Sequence, residues 1–235
     1  MDFDTLRTFQ HGVFAVWQLL AAGWSPARIR HATRNLRQVH EGVFVTGDAP
    51  LTEMQRAWAA ALTTPTTYLS HGSMGRLAGF DDWLVDGTTV TRPGSGGIER
   101  VDGLVIHRSS ALRPADVATW DGIPCIAPAR TVLDLVAQRP DLPARRVVRN
   151  ALRVHAVNGM DLRLAVARGR GRRGVSRLRR YVDDYAHLPI DRTKSDAEAL
   201  ALAILDGARI PIPLVNVKVH GEEADLIWLR ARWII

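Results

Sequence analysis

A short helical segment near the N-terminus carries basic side chains at a spacing suited to reading DNA. In the stretch "SPARIRHATR", residues 25–34, Arg30, His31 and Arg34 follow the spacing of one helical face. Ile29 and Thr33 fall on the opposite face, which we expect to be buried. Because arginine can donate two hydrogen bonds to guanine in the major groove, this pattern predicts base recognition by the basic face.

The first residues of this segment are typical of a helix start, and further cations follow along the chain. Ser25 is a typical N-cap and Pro26 a typical first helical residue, so we expect the helix to begin there. Other cations follow on the helix and on the next hairpin, near backbone phosphates. The alternative is a protein-docking module whose basic face is merely solvated. The predicted DNA-binding residues are Ser25, Arg28, Arg30, His31, Arg34, Arg37 and His40.

A second cluster of cations lies much further along the chain. The stretch "RGRGRRGVSRLRR", residues 168–180, contains seven arginines and no acid. Guanidinium groups at this density favour phosphate contacts, whose affinity falls steeply with salt. A solvated linker or helix face would have the same composition, so the residues alone do not separate the two interpretations. The predicted phosphate-binding residues are Arg168, Arg170, Arg172, Arg173 and Arg177.

Two carboxylates near the C-terminus follow the order found in metal-dependent nucleases. Glu198 is predicted on a helix, and Asp225 enters the second strand after it. Such nucleases need a further acid and a lysine or second acid one strand later, because Mg²⁺ requires several oxygen ligands. The sequence reaches Ile235 without that pair. We therefore expect a vestigial site with no catalytic residue, no metal ligand and no cofactor; Mg²⁺ would enter only under a nuclease alternative.

Other motifs with chemical meaning give little support for further sites. The histidines show neither HxxxH nor HxH spacing, and GxSxG is missing from the sequence. The "GSGG" stretch at 94–97 lacks the Lys-Ser/Thr of a phosphate loop and is predicted to be a hairpin turn. Cys125 is predicted to be a core or strand residue rather than a nucleophile. Arg130 and Asp134, four residues apart on a helix, are predicted to form a structural pair.

Composition places the chain among globular proteins with a polyanionic partner. The 235 residues carry a net charge of +7, which favours nucleic acid, although an arginine-rich composition also reflects GC-rich codon usage. No stretch reaches the roughly 18 apolar residues of a membrane span, and the N-terminus is unlike a secretory signal. The single cysteine favours a reducing cytoplasm.

The elements that must position these residues predict an α+β protein. Residues 13–22 are apolar all round and predict a buried helix closed by Gly23, before the basic helix and a hairpin around Glu41 and Gly42. The predicted domains are a winged helix-turn-helix over 1–48, a central small α/β domain over 49–140, an arginine-rich helical segment over 141–190, and an incomplete restriction-endonuclease-like α/β tail over 191–235.

Several stretches together resemble a known family. The segment "GVFAVWQLLAAGWSPARIRHATRNLRQVHEGVFV" resembles the N-terminal winged-helix domain of the AbiEi-type antitoxin family, with Phe44 where tyrosine is usual. The segments "YLSHGSMGRLAGF", "VIHRS", "DGIPCIAPARTVLDL" and "RRGVSRLR" look like the remainder of a related actinobacterial group. Residues 194–228 are similar to the beginning of the Vsr-like endonuclease domain, of the PD-(D/E)xK fold, common in that group. Only Glu198 and Asp225 match its site residues.

The resemblance implies an autorepressor and antitoxin of a type IV toxin–antitoxin pair whose toxin is nucleotidyltransferase-like. Together with the basic face, it predicts a cytoplasmic transcriptional regulator that binds double-stranded DNA and has no membrane partner. The sequence leaves a homo-oligomer open. Two alternatives also stay open: a metal-dependent, Vsr-like DNA endonuclease represented by a shortened, inactive chain, and an interaction module that holds a toxin without touching DNA.

Overall fold

The computed structural model describes residues 3–83, 86–101 and 103–235. The chain divides into two compact units, Met1–Leu77 with Trp83–Ala127 and Ala78–Asp82 with Pro128–Ile235. Each unit combines helices with at least one sheet, which confirms the predicted mixed α+β class.

The beginning of the first unit consists of short helices and a three-stranded antiparallel sheet of order β1-β3-β2. The predicted basic helix and the hairpin around Glu41 and Gly42 are confirmed. Helix α1 has no counterpart in the sequence prediction, because its seven residues are too few to show a helical period. The elements are α1 (Phe3–Phe9), β1 (Val13–Ala15), α2 (Val16–Ala21), α3 (Pro26–Thr33), β2 (Arg37–His40) and β3 (Val43–Val45).

The predicted helix over 13–22 is wrong in its first three residues. Val13, Phe14 and Ala15 form β1 and are fully buried where they pair with β3. The backbone N–H of Ala15 donates to Oε1 of Gln18 at 3.0 Å, which closes the start of α2 at the end of the strand. A short apolar run fits a buried strand as well as a buried helix, so periodicity could not separate the two.

The core of this part is formed by aromatic and aliphatic side chains from both sheet and helices. Phe14, Leu19 and Ile29 are buried together, with Phe3 and Phe44 packed against them. The rings of Phe3 and Phe14 meet edge to face with centroids 5.0 Å apart, and those of Phe14 and Phe44 stack at 6.1 Å. Helix α3 is thus attached to the small sheet through its apolar face.

A six-stranded mixed sheet of order β6-β7-β5-β4-β9-β8 forms the rest of the first unit. The pairs β5/β7 and β4/β9 are parallel and the other pairs are antiparallel. Ala60 of α4 packs on Val90, Leu104 and Ile106 of the sheet. The elements are α4 (Glu53–Ala61), β4 (Tyr68–Leu69), α5 (His71–Leu77), β5 (Thr88–Pro93), β6 (Ile98–Val101), β7 (Leu104–Ser109), β8 (Val117–Trp120) and β9 (Ile123–Ile126).

The glycine-rich stretch at 94–97 is not the hairpin turn that the sequence predicts. Strands β5 and β7 pair in parallel, from Thr88 opposite Leu104 to Pro93 opposite Ser109. The glycine-rich stretch leads instead into β6, which pairs antiparallel with β7 on the side away from β5. All four residues of β6 are exposed, so no buried face marks this strand in the sequence.

The second unit begins with helices and ends in an antiparallel sheet of order β10-β11-β12. Val175, Leu178 and Val182 of α9 are buried, as the predicted apolar stripe requires. Ser195 caps α10, as predicted, by accepting the backbone N–H of Glu198 at 3.2 Å. The elements are α6 (Pro128–Gln138), α7 (Asp141–Arg153), α8 (Gly159–Arg168), α9 (Val175–Tyr185), α10 (Asp196–Gly207), β10 (Leu214–Val219), β11 (Glu222–Trp228) and β12 (Trp233–Ile234).

Ion pairs form both within and between the helices of this unit. Arg130 and Asp134 form the predicted pair within α6, with Nε and Oδ1 3.0 Å apart. The buried Arg149 of α7 donates from Nε and Nη2 to both carboxylate oxygens of Asp196, at 3.1 and 3.2 Å. Part of the arginine excess is therefore neutralised inside the fold.

Two glycines between α8 and α9 give a test of how closely their loop packs. Gly171 and Gly174 have backbone φ angles of +85° and +87°, so alanine is strained at both. A Cβ at Gly174 would lie 2.9 Å from Cα of Ala137 in α6, whereas a Cβ at Gly171 would meet nothing within 4 Å. We expect Gly171→Ala to lower the free energy of unfolding by about 1 kcal/mol and Gly174→Ala by roughly 2 kcal/mol more. Equal losses in chemical denaturation would contradict the close contact.

Candidate nucleic-acid interface

The outer face of α3 and its C-cap residue Arg34 present the three predicted base-reading side chains to solvent. Arg30, His31 and Arg34 are exposed, and within the described ranges no ion pair or side-chain hydrogen bond engages any of them. The inner face of the same helix buries Ile29 and Thr33. The hydroxyl of Thr33 donates to the carbonyl of Ile29 at 3.0 Å, so this buried polar group is satisfied within the helix. The structure thus keeps the basic face free by burying the opposite one.

Ser25 and Arg28 organise the start of α3. The Ser25 hydroxyl accepts the backbone N–H of Arg28 at 3.3 Å, which confirms the predicted N-cap. The guanidinium of Arg28 lies over the ring of Trp24, 3.7 Å from its centroid. A cation–π contact of this kind fixes the side chain without neutralising its charge. Arg28 is therefore held at the beginning of the exposed basic face.

The structure separates Arg37 and His40 from that face. Both lie on β2 and are half-buried. Nη2 of Arg37 donates to the carbonyl of Ala49 at 2.8 Å, so this guanidinium joins the strand to the segment that follows the hairpin. The hydrogen bond uses one donor of the Arg37 guanidinium, and the role of Arg37 as a phosphate contact stays a prediction.

The second basic cluster divides in the same way. Arg168, Arg170 and Arg173 are exposed, and none of them has a side-chain ion pair or hydrogen bond to a residue that the structure describes. Arg172 is half-buried. We call residues 168–173 the basic loop.

Arg177, also predicted as a phosphate contact, is half-buried and hydrogen-bonded within the fold. Its Nη1 donates to the carbonyls of Val136 and Arg139 at 2.8 and 3.0 Å. Its Nη2 donates to the hydroxyl of Tyr181 at 3.2 Å. A basic side chain that binds the free carbonyls at the end of a helix stabilises that helix, so Arg177 acts on α6.

The two carboxylates of the tail are not brought into a ligand set. The carboxylate of Glu198 accepts the backbone N–H of Lys194 at 3.0 Å, the Ser195 hydroxyl at 2.8 Å and Nδ2 of Asn216 at 2.8 Å. Burial raises the pKa of Glu198, but these hydrogen bonds outweigh burial and leave the pKa below its ordinary value. Asp225 is exposed on β11. Across the described residues, no group of three or more His, Cys, Asp and Glu side chains could hold a metal ion.

Cys125 is a buried residue of β9, as predicted. Burial raises the pKa of its thiol to about 12, so the reactive thiolate is negligible near neutral pH. In the ranges that the structure describes, no helix is both long enough and apolar enough to span a bilayer.

The family of the chain is shown by its central region. Residues 61–184 match the family model of the AbiEi antitoxin C-terminal domain, more than half of the sequence. The chain belongs to the AbiEi antitoxin family. The match runs from the end of α4 into α9 and so includes the six-stranded sheet and the basic loop of this AbiEi-family chain. Helix α3 and the C-terminal sheet lie outside it. Among curated proteins, no match to the chain was found.

Trp24 and Arg92 are candidate binding residues that the sequence interpretation missed. Trp24 directly precedes the N-cap Ser25, a position where apolar residues often pack against the first helical turns, and this signal was available. Arg92 stands on β5 and faces the same side of the sheet as the buried Val90. The signal for Arg92 was a basic residue on the same side of the predicted strand as the apolar Val90.

A pair of substitutions tests the division of the arginine cluster. We expect Arg177→Met to lower the free energy of unfolding by about 2 kcal/mol, because two carbonyls and a tyrosine hydroxyl lose a charged donor. Arg173→Met is the matched control and should change stability by less than about 0.5 kcal/mol, as an exposed residue without partners in the described chain does. Urea denaturation measures both. An unchanged free energy of unfolding in Arg177→Met would contradict a stabilising role for Arg177.

Proposed function

We propose that residues 3–48 of this AbiEi-family chain form a winged helix-turn-helix that binds double-stranded DNA. Helix α3 would enter the major groove and the β2–β3 hairpin would be the wing. Helices α2 and α3 are joined by the short segment 22–25, which contains Gly23, as is typical of a helix-turn-helix. The observation that carries the proposal is the exposed face formed by Arg30, His31 and Arg34, whose side chains have no partner among the described residues.

The side chains of α3 suggest separate roles in this interface. Arg30 and Arg34 would donate to base edges, since an unengaged guanidinium keeps its two-donor geometry for guanine. His31 lies between them on the same face and would contact a base or a phosphate. Arg28 is held over Trp24 and would contact a phosphate, because a positioned cation sets the register of the helix on the duplex.

The basic loop would add contacts that do not depend on DNA sequence. Arg168, Arg170 and Arg173 are exposed and lack acidic neighbours in the stretch 168–180. Phosphate contacts release counterions and strengthen binding to any duplex. We propose that these three residues increase the salt-sensitive part of the affinity.

Membership in the AbiEi antitoxin family gives the DNA binding its context. We propose that the protein binds the DNA upstream of its own operon and represses transcription by occlusion, in the cytoplasm. Its functional partner would be a nucleotidyltransferase-like toxin from the same operon. Strand hydrolysis is not part of this proposal, because the oxygens of Glu198 accept three hydrogen bonds that organise α10 and the strand after it.

Alanine substitutions on α3 test the proposal by equilibrium binding to a fragment of the upstream DNA. We expect Arg30→Ala and Arg34→Ala each to weaken specific binding about tenfold or more, which corresponds to the loss of one base-reading side chain. Binding to unrelated DNA should change much less. The matched control is Arg230→Ala, which removes one exposed arginine from the turn after β11.

A salt series separates the two groups of arginines. Arg173→Ala should weaken binding to the upstream fragment and to unrelated DNA to a similar degree. It should also reduce the slope of log affinity against log salt by about 1. If the Arg30→Ala, Arg34→Ala double variant binds the upstream fragment as tightly as the unmodified protein, α3 is not the recognition helix.

A further inference from the structure

A cleft of about 490 Å³ lies within the first unit, apart from the exposed face of α3. Side chains of α2 form one wall, among them Trp17 and Leu20. Side chains of β6 and β7 form the other wall, among them Val101, Leu104 and Ile106. The volume is that of a small-molecule site, and the lining combines apolar side chains with polar and charged ones.

One arginine of this cleft is held in place by neutral groups. Arg92 of β5 donates from Nε to the hydroxyl of Thr67 and from Nη2 to the hydroxyl of Thr63, each at 3.0 Å. Thr63 and Arg92 both line the cleft. No carboxylate in the described ranges forms an ion pair with Arg92. The guanidinium is thus fixed in orientation but keeps an unneutralised charge.

The surroundings of Arg92 favour an added negative charge. Burial lowers the pKa of Arg92, and the neighbouring charge of Arg108 lowers it further, while Glu99 opposes both. Glu99 is itself engaged, because Nη2 of Arg108 lies 3.0 Å from its carboxylate. The other acid at the cleft, Glu41, is exposed on the turn between β2 and β3. A partly buried cation without a direct ion-pair partner is costly, and an anionic ligand would lower that cost.

We propose that this cleft binds a small organic anion, with a carboxylate or phosphate group on Arg92 and an apolar body between Trp17 and the side chains of β6 and β7. The charged Arg92 requires an anionic group on the ligand, and the apolar side chains of the cleft require an apolar body. An inorganic anion would leave the apolar walls unfilled, and a neutral apolar compound would leave Arg92 uncompensated. The indole Nε1 of Trp17 donates to the carbonyl of Leu62 at 2.7 Å, so the wall is fixed before a ligand enters.

Calorimetric titration of the full chain tests this site with four probes. Benzoate and phenyl phosphate carry both required halves, benzyl alcohol lacks the charge, and inorganic phosphate lacks the apolar body. We expect at least one of the first two to bind about tenfold or more tightly than either of the others, because a charge-assisted hydrogen bond adds to apolar contact. The tighter of the two shows whether the cleft prefers a carboxylate or a phosphate. Failure of both to bind would overturn the proposal.

Substitution of the anchor gives the second arm of the experiment. We expect Arg92→Met to lower the affinity for the tighter-binding anionic probe about tenfold or more. The matched control, Arg100→Met, removes an exposed arginine from β6 and should leave affinity unchanged. Unaltered binding by Arg92→Met would overturn the assignment of Arg92.

A variant that leaves Arg92 and its threonine partners intact guards against loss of folding. Leu20 is 49% exposed at the edge of the cleft, so the fold should tolerate Leu20→Glu. The added carboxylate should lower the affinity for the anionic probe by charge repulsion. Leu142→Glu is the control on α7, where the side chain is 78% exposed in the second unit. If Arg92→Met does not fold, Leu20→Glu decides alone, and an affinity equal to that of the control would reject the site.

Discussion

Burial of one face of α3 is the constraint on which the proposed DNA-binding surface depends. Ile29 packs with Phe14 and Leu19, and Thr33 is buried beside it with its hydroxyl satisfied in the helix. Each turn of a helix contains 3.6 residues, so fixing the inner face also fixes which side chains point outward. Those outward residues are Arg30, His31 and Arg34. Hydrophobic packing on the inner face therefore determines where these side chains are presented.

The arginines of this chain serve two different purposes that net charge does not distinguish. Arg149, Arg177 and Arg37 donate to carboxylate or carbonyl oxygens and hold parts of the fold together. Arg30 and Arg173 are exposed without a partner in the described chain and remain available for phosphates or bases. The formal charge of +7 therefore describes both kinds together. Fold architecture, rather than composition, decides which arginines can reach a polyanion.

Local signals in the sequence predicted the helices that have clear ends. Ser25 before Pro26 marked α3, and Ser195 marked α10, because capping side chains act within one helical turn. The exposed basic face of α3 followed from helical spacing alone. The resemblance to the AbiEi family was carried by residues 12–45, and the match over residues 61–184 confirms the family from a different part of the chain.

Features that depend on distant partners could not be predicted in this way. Residues 13–15 form a strand only because β3 is there to pair with them. The parallel pairing of β5 with β7 likewise depends on tertiary structure. Strand β6 is exposed at all four residues, so no alternating pattern in the sequence predicted it. Arg177 and Arg37 lie in basic stretches of the sequence, but their acceptors are the carbonyls of Val136 and Ala49 elsewhere in the fold.

The loop between α8 and α9 is anchored at its far end, and this affects how it can bind. Gly174 lies directly against Ala137, and Arg177, one turn later, is bonded to the last carbonyls of α6. The backbone beside Arg170 and Arg173 has therefore lost much of its conformational entropy during folding. A phosphate that met these guanidinium groups would order only side chains, not a mobile segment, and preorganisation of this kind would let a few contacts give useful affinity.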